Sequence, residues 1–434
     1  MDTIFALSSA HGRAGVAVVR ISGARAKAAL EALSGKPAPM PRQAALRRLK
    51  SGNGEALDDA IVLYFKGPES FSGEDIVELH LHGGPAIVGG VLAALVALEG
   101  LRPAAPGEFT RRAVENGKLD LTRAEAIADL VNAETQSQRK QALRQYEGVL
   151  AELYARWREK LIRATALSEA AIDFSEEELP ETVAEEADET VRQVLANIRS
   201  HLADARRGEL TRDGLYLTVI GPPNSGKSSM INQLAQRDVA IVSEAAGTTR
   251  DVIEVRLDLG GYAVTVADTA GLREAAEAVE AEGVRRALAR AESADLVLLL
   301  LDGSSPNPLA GMPKDIRTDF TVWNKSDLHW PALRQGLRIS TKSGEGLSDL
   351  IDAISQRVRE KLENRSDSPL LTRARHRHAL EHAAVSLEHA LAENQAELKA
   401  ENLRLALREL GRVTGRIDVE DLLDVIFRDF CIGK

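Results

Sequence analysis

The segment Gly221-Pro222-Pro223-Asn224-Ser225-Gly226-Lys227-Ser228 constrains this chain more than any other. It fits G-x-x-x-x-G-K-[ST], it follows the strand-like run Leu215–Ile220, and the sequence from Ser229 onward has a helical pattern. Backbone N–H groups of such a loop, at a helix N-terminus, can hold phosphate oxygens. Lys227 is placed to reach the β and γ phosphates and Ser228 to hold Mg²⁺. Around this loop, residues 209–364 alternate strand-like and helical runs between Gly-rich loops, the pattern of a parallel α/β sheet.

Four further segments follow in order. Gly247-Thr248-Thr249-Arg250-Asp251 offers Thr249 as a second protein contact on Mg²⁺. Asp268-Thr269-Ala270-Gly271 ends a strand, with Asp268 supporting the metal region and Gly271 meeting the γ-phosphate. Asn324-Lys325-Ser326-Asp327 follows the apolar run Phe320–Trp323, and Ser340-Thr341-Lys342 follows Leu337–Ile339. Each is weak alone; five in this order resemble the G motifs of GTP-binding proteins. Asp327 decides the base, because a carboxylate accepts from both guanine N1–H and the 2-amino group, and adenine lacks both donors on that edge. The expectation is GTP over ATP.

Ile253, Val255, Leu257 and Leu259 alternate with Glu254, Arg256 and Asp258. Gly260-Gly261 then turns the chain, and Tyr262, Val264 and Val266 alternate back, as in a hairpin joining the Thr249 loop to Asp268. Many GTPases place a Gln just after the Asp-x-x-Gly motif to orient water. Here Leu272 stands there, and Glu274, Glu277, Glu280 and Glu282 are the candidates to replace it.

The other residues divide by composition. Residues 1–118 read as mixed α/β, with strands at Val16–Ile21, Ala60–Phe65 and Ile76–His80 and helices at Ala24–Leu33 and Ala86–Leu98. Residues 119–208 are Gly-poor and helical, broken near Pro180, and 365–434 return to long helices. Asp418 is expected to cap a last helix, with Val419, Leu422, Leu423, Ile426, Phe427 and Phe430 on one face. Helical sequence on both sides of an α/β block implies one helical domain interrupted by an insertion. Between Asp302 and Asn324 the chain is too short and polar for a full helix.

A single cysteine, Cys431, excludes an internal disulfide framework. No H-E-x-x-H pattern occurs, and no transition metal is expected. The longest near-apolar stretch, Ala86–Leu98, is thirteen residues, short of the ~20 needed to span a bilayer. No signal-peptide pattern opens the chain, so a cytoplasmic location is expected. The net charge of −10 argues against a non-specific nucleic-acid binder, but nine of the acids fall in Asp173–Glu189 alone.

The G segments and both ends of the chain together resemble the MnmE (TrmE) family of tRNA-uridine-modifying GTPases over nearly the full length. The matching residues include Val19-Arg20-Ile21-Ser22-Gly23, Ser72-Gly73-Glu74-Asp75, His82-Gly83-Gly84-Pro85, Pro106-Gly107-Glu108-Phe109, Lys118-Leu119-Asp120-Leu121, Ala171-Ile172-Asp173-Phe174 and Phe430-Cys431-Ile432-Gly433-Lys434. The resemblance implies a multidomain fold, α/β plus all-α. Its parts are an N-terminal folate-binding and dimerisation domain at 1–118, a discontinuous helical domain at 119–208 and 365–434, and an inserted Ras-like G domain at 209–364. It implies GTP contacts from Asn224 to Ser229, from Ser243, Glu244, Ala245, Ala246 and Gly247 to Thr249, and at the later G segments through Lys342. It implies a K⁺ ion held by Asn224, Ser243, Ala245 and Thr248, and Glu280 as the water-orienting carboxylate. It further implies 5-formyltetrahydrofolate or a related tetrahydrofolate at Arg20, Glu78, Lys118 and Lys434, and a role for Cys431 as a reactive or substrate-contacting thiol. Glu78 suits the pterin donors, and Arg20 or a lysine suits the carboxylates of the folate tail. The implied partners are tRNA and a flavin-dependent protein in a heterotetramer. The implied reaction adds a carboxymethylaminomethyl-type group to a wobble uridine. The rival readings are a regulatory or ribosome-assembly GTPase with no one-carbon role, and a scaffold.

Overall fold

The computed structural model describes residues 2–173, 181–241, 254–268, 292–310, 312, 317–330, 335–363, 371–415, 417, 423, 426–428 and 430–433. These form two compact units, one of Met1–Ala128, Tyr146–Thr190 and His389–Lys434, the other of Asp129–Gln145 and Val191–Glu388.

The first unit contains six strands: β1 (Thr3–Leu7), β2 (Ala14–Ser22), β3 (Ala45–Lys50), β4 (Ala56–Phe65), β5 (Ile76–Gly83) and β6 (Leu101–Pro103). They join in the order β3-β4-β5-β2-β1-β6. The three expected strands are β2, β4 and β5, and the two expected helices are Ala26–Ser34 and Pro85–Val96. Val77, Leu79 and Leu81 of β5 are buried with Val19 and Ile21 of β2 and with Leu30, Val91 and Leu95 of the two helices. The period of two sends Glu78, His80 and His82 to the opposite face. The antiparallel register sets Arg20 directly across from Glu78. His80 and His82 do share a face, but their carboxylate neighbours are different: His80 lies by Glu78 and His82 by Asp58.

The helical part of this unit includes Val149–Asp173 and Ala396–Thr414, which pack along one another. Arg404 pairs with Glu169 at 2.8 Å and Lys399 with Asp188. Asp418, Val419 and Leu422 lie outside the described residues. Leu423, Phe427 and Phe430 are buried against Leu121 and Ala124. Phe427 and Phe430 meet edge to face with ring centroids 4.9 Å apart. The chain then returns to the sheet domain: Ile432 bridges to Pro106, and the Ser8 hydroxyl donates to the Gly433 carbonyl at 2.9 Å.

The second unit contains β7 (Leu215–Ile220), β8 (Glu254–Leu259), β9 (Tyr262–Asp268), β10 (Leu296–Asp302), β11 (Phe320–Asn324) and β12 (Leu337–Arg338). Their order is β12-β11-β10-β7-β9-β8. All neighbours run parallel except β8, an antiparallel edge strand hairpinned to β9. Gly260 and Gly261 have φ of 66° and 89°, and they form the two-residue turn between the paired residues Leu259 and Tyr262. β8 alternates as expected from Glu254 to Leu259, and Ile253 lies outside the described residues. β9 does not: Ala263 and Thr265 are as buried as Val264 and Val266, because β9 is flanked by β7 and β8 in the sheet interior. Leu217, Val219, Leu298, Leu300 and Val322 form the core beneath, with Leu350, Ile354 and Val358 of the helix Leu347–Leu362. Among the described residues of 303–319 there is no helix.

The hairpin edge is tied to the helical segment of the same unit. Ser137 N–H donates to the Gly261 carbonyl at 3.0 Å, and Arg256 pairs with Glu134 at 2.8 Å. Asp129 accepts from Arg212 at 3.0 Å and from Arg373 at 2.7 Å. No helix of the described residues is long and apolar enough to cross a membrane.

Glu108, at the start of the helix Glu108–Glu115 in the first unit, is buried between two guanidinium groups. It accepts from Arg102 at 2.6 and 2.8 Å, from the Ala105 N–H at 2.8 Å and from Arg112 at 3.0 Å. Burial by itself would raise its pKa; Arg102, the Ala105 N–H and Arg112 outweigh it and push the value down to about 2. A depressed carboxylate pKa stabilises the fold above the unfolded-state value near 4.5 and loses that contribution as pH falls toward 2. The melting temperature of the protein is therefore expected to fall between pH 4.5 and 2 more steeply than that of Glu108→Gln, as read by circular dichroism.

Candidate functional site

β7 ends at Ile220 against β10, and the chain leaves the sheet at Gly221. A Cβ at Gly221 would lie 2.2 Å from the Leu300 carbonyl oxygen, so only glycine fits there. Asn224 takes a left-handed φ of 62° and Gly226 one of 101°. The helix Lys227–Ala235 begins immediately after, and its first N–H groups have no acceptor within the helix. Lys227 is buried, and its Nζ rests on the loop's own carbonyls, at 2.9 Å from Gly221 O and 3.0 Å from Pro222 O. Asn224, Ser228 and Ser229 are exposed, and Ser225 is buried.

Asn324, 1% exposed at the end of β11, joins three loops with one amide. Its Nδ2 donates to Ser225 O at 2.8 Å and to the Thr341 hydroxyl at 3.2 Å. Its Oδ1 accepts from Lys325 N–H at 2.8 Å and Thr341 N–H at 3.0 Å. A Cβ at Gly226 would sit 2.2 Å from that same Nδ2, so the glycine lets the side chain pass. Lys325 has φ 66° and pairs its Nζ with Asp302 at 2.6 Å. Burial opposes ionisation of Asp302, but the Lys325 ammonium and the Ser304 donors outweigh it and hold its pKa below the ordinary value. Asp327 is exposed, and its Oδ1 accepts from the buried Ser340 hydroxyl at 2.7 Å. Ser340 also accepts from Lys342 N–H at 3.3 Å and so ties the last G segment to Asp327.

The phosphate loop, the Asn324–Asp327 loop and the Ser340–Lys342 loop thus meet at one end of the parallel sheet. Asp302 and Ser304 are additions that the motifs do not mark; their signal is the polar end of a fully apolar strand. Ser243, Glu244, Ala245, Ala246, Gly247, Thr248, Thr249, Thr269, Ala270, Gly271 and Glu280 lie outside the described residues. Asp268 closes β9 beside Val219 of β7.

A second site lies in the first unit. Arg20, Glu78 and Lys118 line one pocket of about 520 Å³, with Arg42, Phe65 and Phe71. Arg20 places both Nε and Nη2 on Glu78 Oε1, at 3.0 and 2.8 Å. Its guanidinium stands 5.7 Å from the Phe71 ring centre and 5.8 Å from that of Phe109. Arg42 and the two phenylalanines escape sequence reasoning, since only the meeting of β2, β4 and β5 assembles them. Cys431 is exposed, and its carbonyl accepts from Gly107 N–H at 3.3 Å. Lys434 lies outside the described residues.

A parallel sheet with a lysine-bearing phosphate loop after β7 and an Asn-Lys-x-Asp loop after β11 defines a P-loop GTPase. Residues 3–118 match the family described as GTP-binding protein TrmE N-terminus, and residues 121–431 match the MnmE helical domain. Proteins of Parvibaculum lavamentivorans, Paramagnetospirillum magneticum and Rhodospirillum rubrum, each named tRNA modification GTPase MnmE, are 54%, 53% and 52% identical over 100% of both chains. The chain belongs to the MnmE family of tRNA modification GTPases, and it is a GTP hydrolase.

The Asn324 amide predicts its own test. Asn324→Ala leaves Ser225 O, Thr341 N–H and Lys325 N–H without their buried partner, a cost of about 1–3 kcal/mol for each group left unsatisfied. Hydrogen exchange at the Ser225–Lys227 amides is expected to accelerate, with lower GTP affinity in a fluorescent-nucleotide titration.

Proposed function

We propose that this chain is a K⁺-dependent GTPase that works with a flavin-dependent partner. Together they add a carboxymethylaminomethyl-type group to the wobble uridine of certain tRNAs, with a tetrahydrofolate supplying the one-carbon unit. The observation that carries this reading is the presence, in one chain, of the nucleotide loops and of a pocket uniting Arg20, Glu78 and Lys118. The pocket suits a reduced folate in chemistry and size: aromatic walls at Phe65 and Phe71, a carboxylate for pterin donors and cations for a carboxylate tail. Homodimerisation through 1–118, the four-segment domain division and the cytoplasmic location belong to the same proposal.

In GTP hydrolysis water attacks the γ-phosphorus, the bond to the bridging oxygen breaks and GDP leaves. Lys227 gives up its loop carbonyls to meet the β and γ phosphates. Ser228 presents an exposed hydroxyl, a hard oxygen donor suited to Mg²⁺. Asn224 presents an exposed amide on a left-handed backbone, a donor suited to K⁺. Bound there, the ions would supply positive charge beside the phosphates, as an arginine finger does elsewhere. Asp327 keeps one carboxylate oxygen beyond its bond to Ser340 and reads guanine. Glu280 orients the water. Cys431 and Lys434 contact substrate from the C-terminal segment.

Turnover of GTP is expected to be much faster in KCl than in NaCl at equal ionic strength, with ATP turned over in neither. Equal GTP rates in the two salts overturn the cation assignment. Glu280→Ala is expected to keep GTP binding and lose turnover; retained turnover moves the role to Glu274, Glu277 or Glu282.

A further inference from the structure

Three non-glycine residues among those described adopt a left-handed φ: Asn224, Lys325 and Arg42. Two of them shape the nucleotide site. Strained backbone of this kind persists where surrounding structure over-determines it, and it concentrates at ligand sites. Arg42 is the third, and it lines the pocket of the other unit.

Its placement is specific. The Arg42 N–H donates to Tyr64 O at 2.8 Å, which docks the turn on the end of β4. The guanidinium lies 5.7 Å from the Phe65 ring centre, and its Nη2 donates to Glu69 O at 2.5 Å. Two of its contacts thus hold the group in place, and most of its five N–H donors stay available. Arg20, across the pocket, is in the opposite condition: it is committed to Glu78 through two hydrogen bonds. Among the described residues no carboxylate lies within 4.0 Å of the Arg42 guanidinium or the Lys118 ammonium. The exposed Glu69 side chain is the other carboxylate on the lining.

This rests on the folate reading above and, of the two groups the sequence offers for the tail, keeps the lysine and replaces Arg20. We propose that Arg42, with Lys118, forms the subsite for the acidic tail of the ligand. Arg20 then acts on the ligand through Glu78, as the group that aims that carboxylate. The ligand class is a reduced pterin carrying one or more γ-linked glutamates, and added glutamates extend past the exposed Arg42 edge of the pocket.

The test uses the full chain in titration calorimetry with three probes: 5-formyltetrahydrofolate with one glutamate, the same compound with three, and the tail-free 5-formyltetrahydropteroate. The wild-type protein is expected to rank them in the order three, one, none. Arg42→Gly removes the cation and relieves the left-handed backbone, so its fold is expected to be at least as stable. It is expected to lose about tenfold in affinity for both tailed probes, the scale of a charge-assisted contact, and nothing for the tail-free one. Equal affinities of Arg42→Gly and wild type for all three probes overturn the tail subsite and leave the folate reading standing. Equal losses on tailed and tail-free probes also overturn it, since the residue would then be shaping the whole pocket. Wild-type protein that binds none of the probes overturns the folate reading and this inference together.

Discussion

The nucleotide site depends on one buried carboxamide. Asn324 has a single Oδ1 and a single Nδ2, and both are filled by backbone or hydroxyl groups of three loops that are far apart in the chain. A hydrophobic residue of the same volume could not do this, because the loops it joins expose N–H and C=O groups that burial would leave unpaired. The rest of the site is arranged to admit it. Gly226 has no Cβ because the amide occupies that space, and Lys325 adopts a left-handed backbone to turn its ammonium toward Asp302. The Asn324–Asp327 loop and the phosphate loop are therefore one mechanical object.

Much of this was legible in the sequence because the relevant constraints are local. The run Leu215–Ile220 is a strand from its first residue to its last, since an apolar run closed by an obligatory glycine has little other use. The Gly260-Gly261 turn follows from the need for two left-handed residues. What was not legible is long-range. β3 carries Arg47, Arg48 and Lys50 among its six residues, so this edge strand lacks the apolar run that marks a strand in sequence. β9 reads as half-exposed until both of its neighbours are known. The Arg20–Glu78 pair needs the register of β2 on β5, and Arg42 enters only when its φ and its place on Phe65 are seen. The sequence left the ligand's acid tail to Arg20 or a lysine; the register shows that the Arg20 guanidinium already has a carboxylate.

The two sites use ionic groups differently. In the N-terminal sheet domain, Glu108 and Glu74 satisfy the buried Arg112, and the Ser22 and Ser72 hydroxyls complete the cluster. Such a network is costly to break but holds its members still, which is what a binding wall built on Phe71 and Arg20 requires. Around the phosphate loop, Lys227 Nζ donates to the carbonyls of Gly221 and Pro222.

The return of the chain to its beginning has a temporal meaning. Ser8 holds Gly433, Gly107 holds Cys431, and a Cβ at Gly433 would strike the Leu7 carbonyl at 2.2 Å. The N-terminal sheet is thus closed by residues far along the chain, across a separation of 425 positions. Its rim at Leu7 and Pro106 therefore stays open until residues 432–433 have been made, after all of the nucleotide loops. The order of the sequence thus puts every nucleotide loop into the growing chain before the N-terminal sheet has its last neighbour.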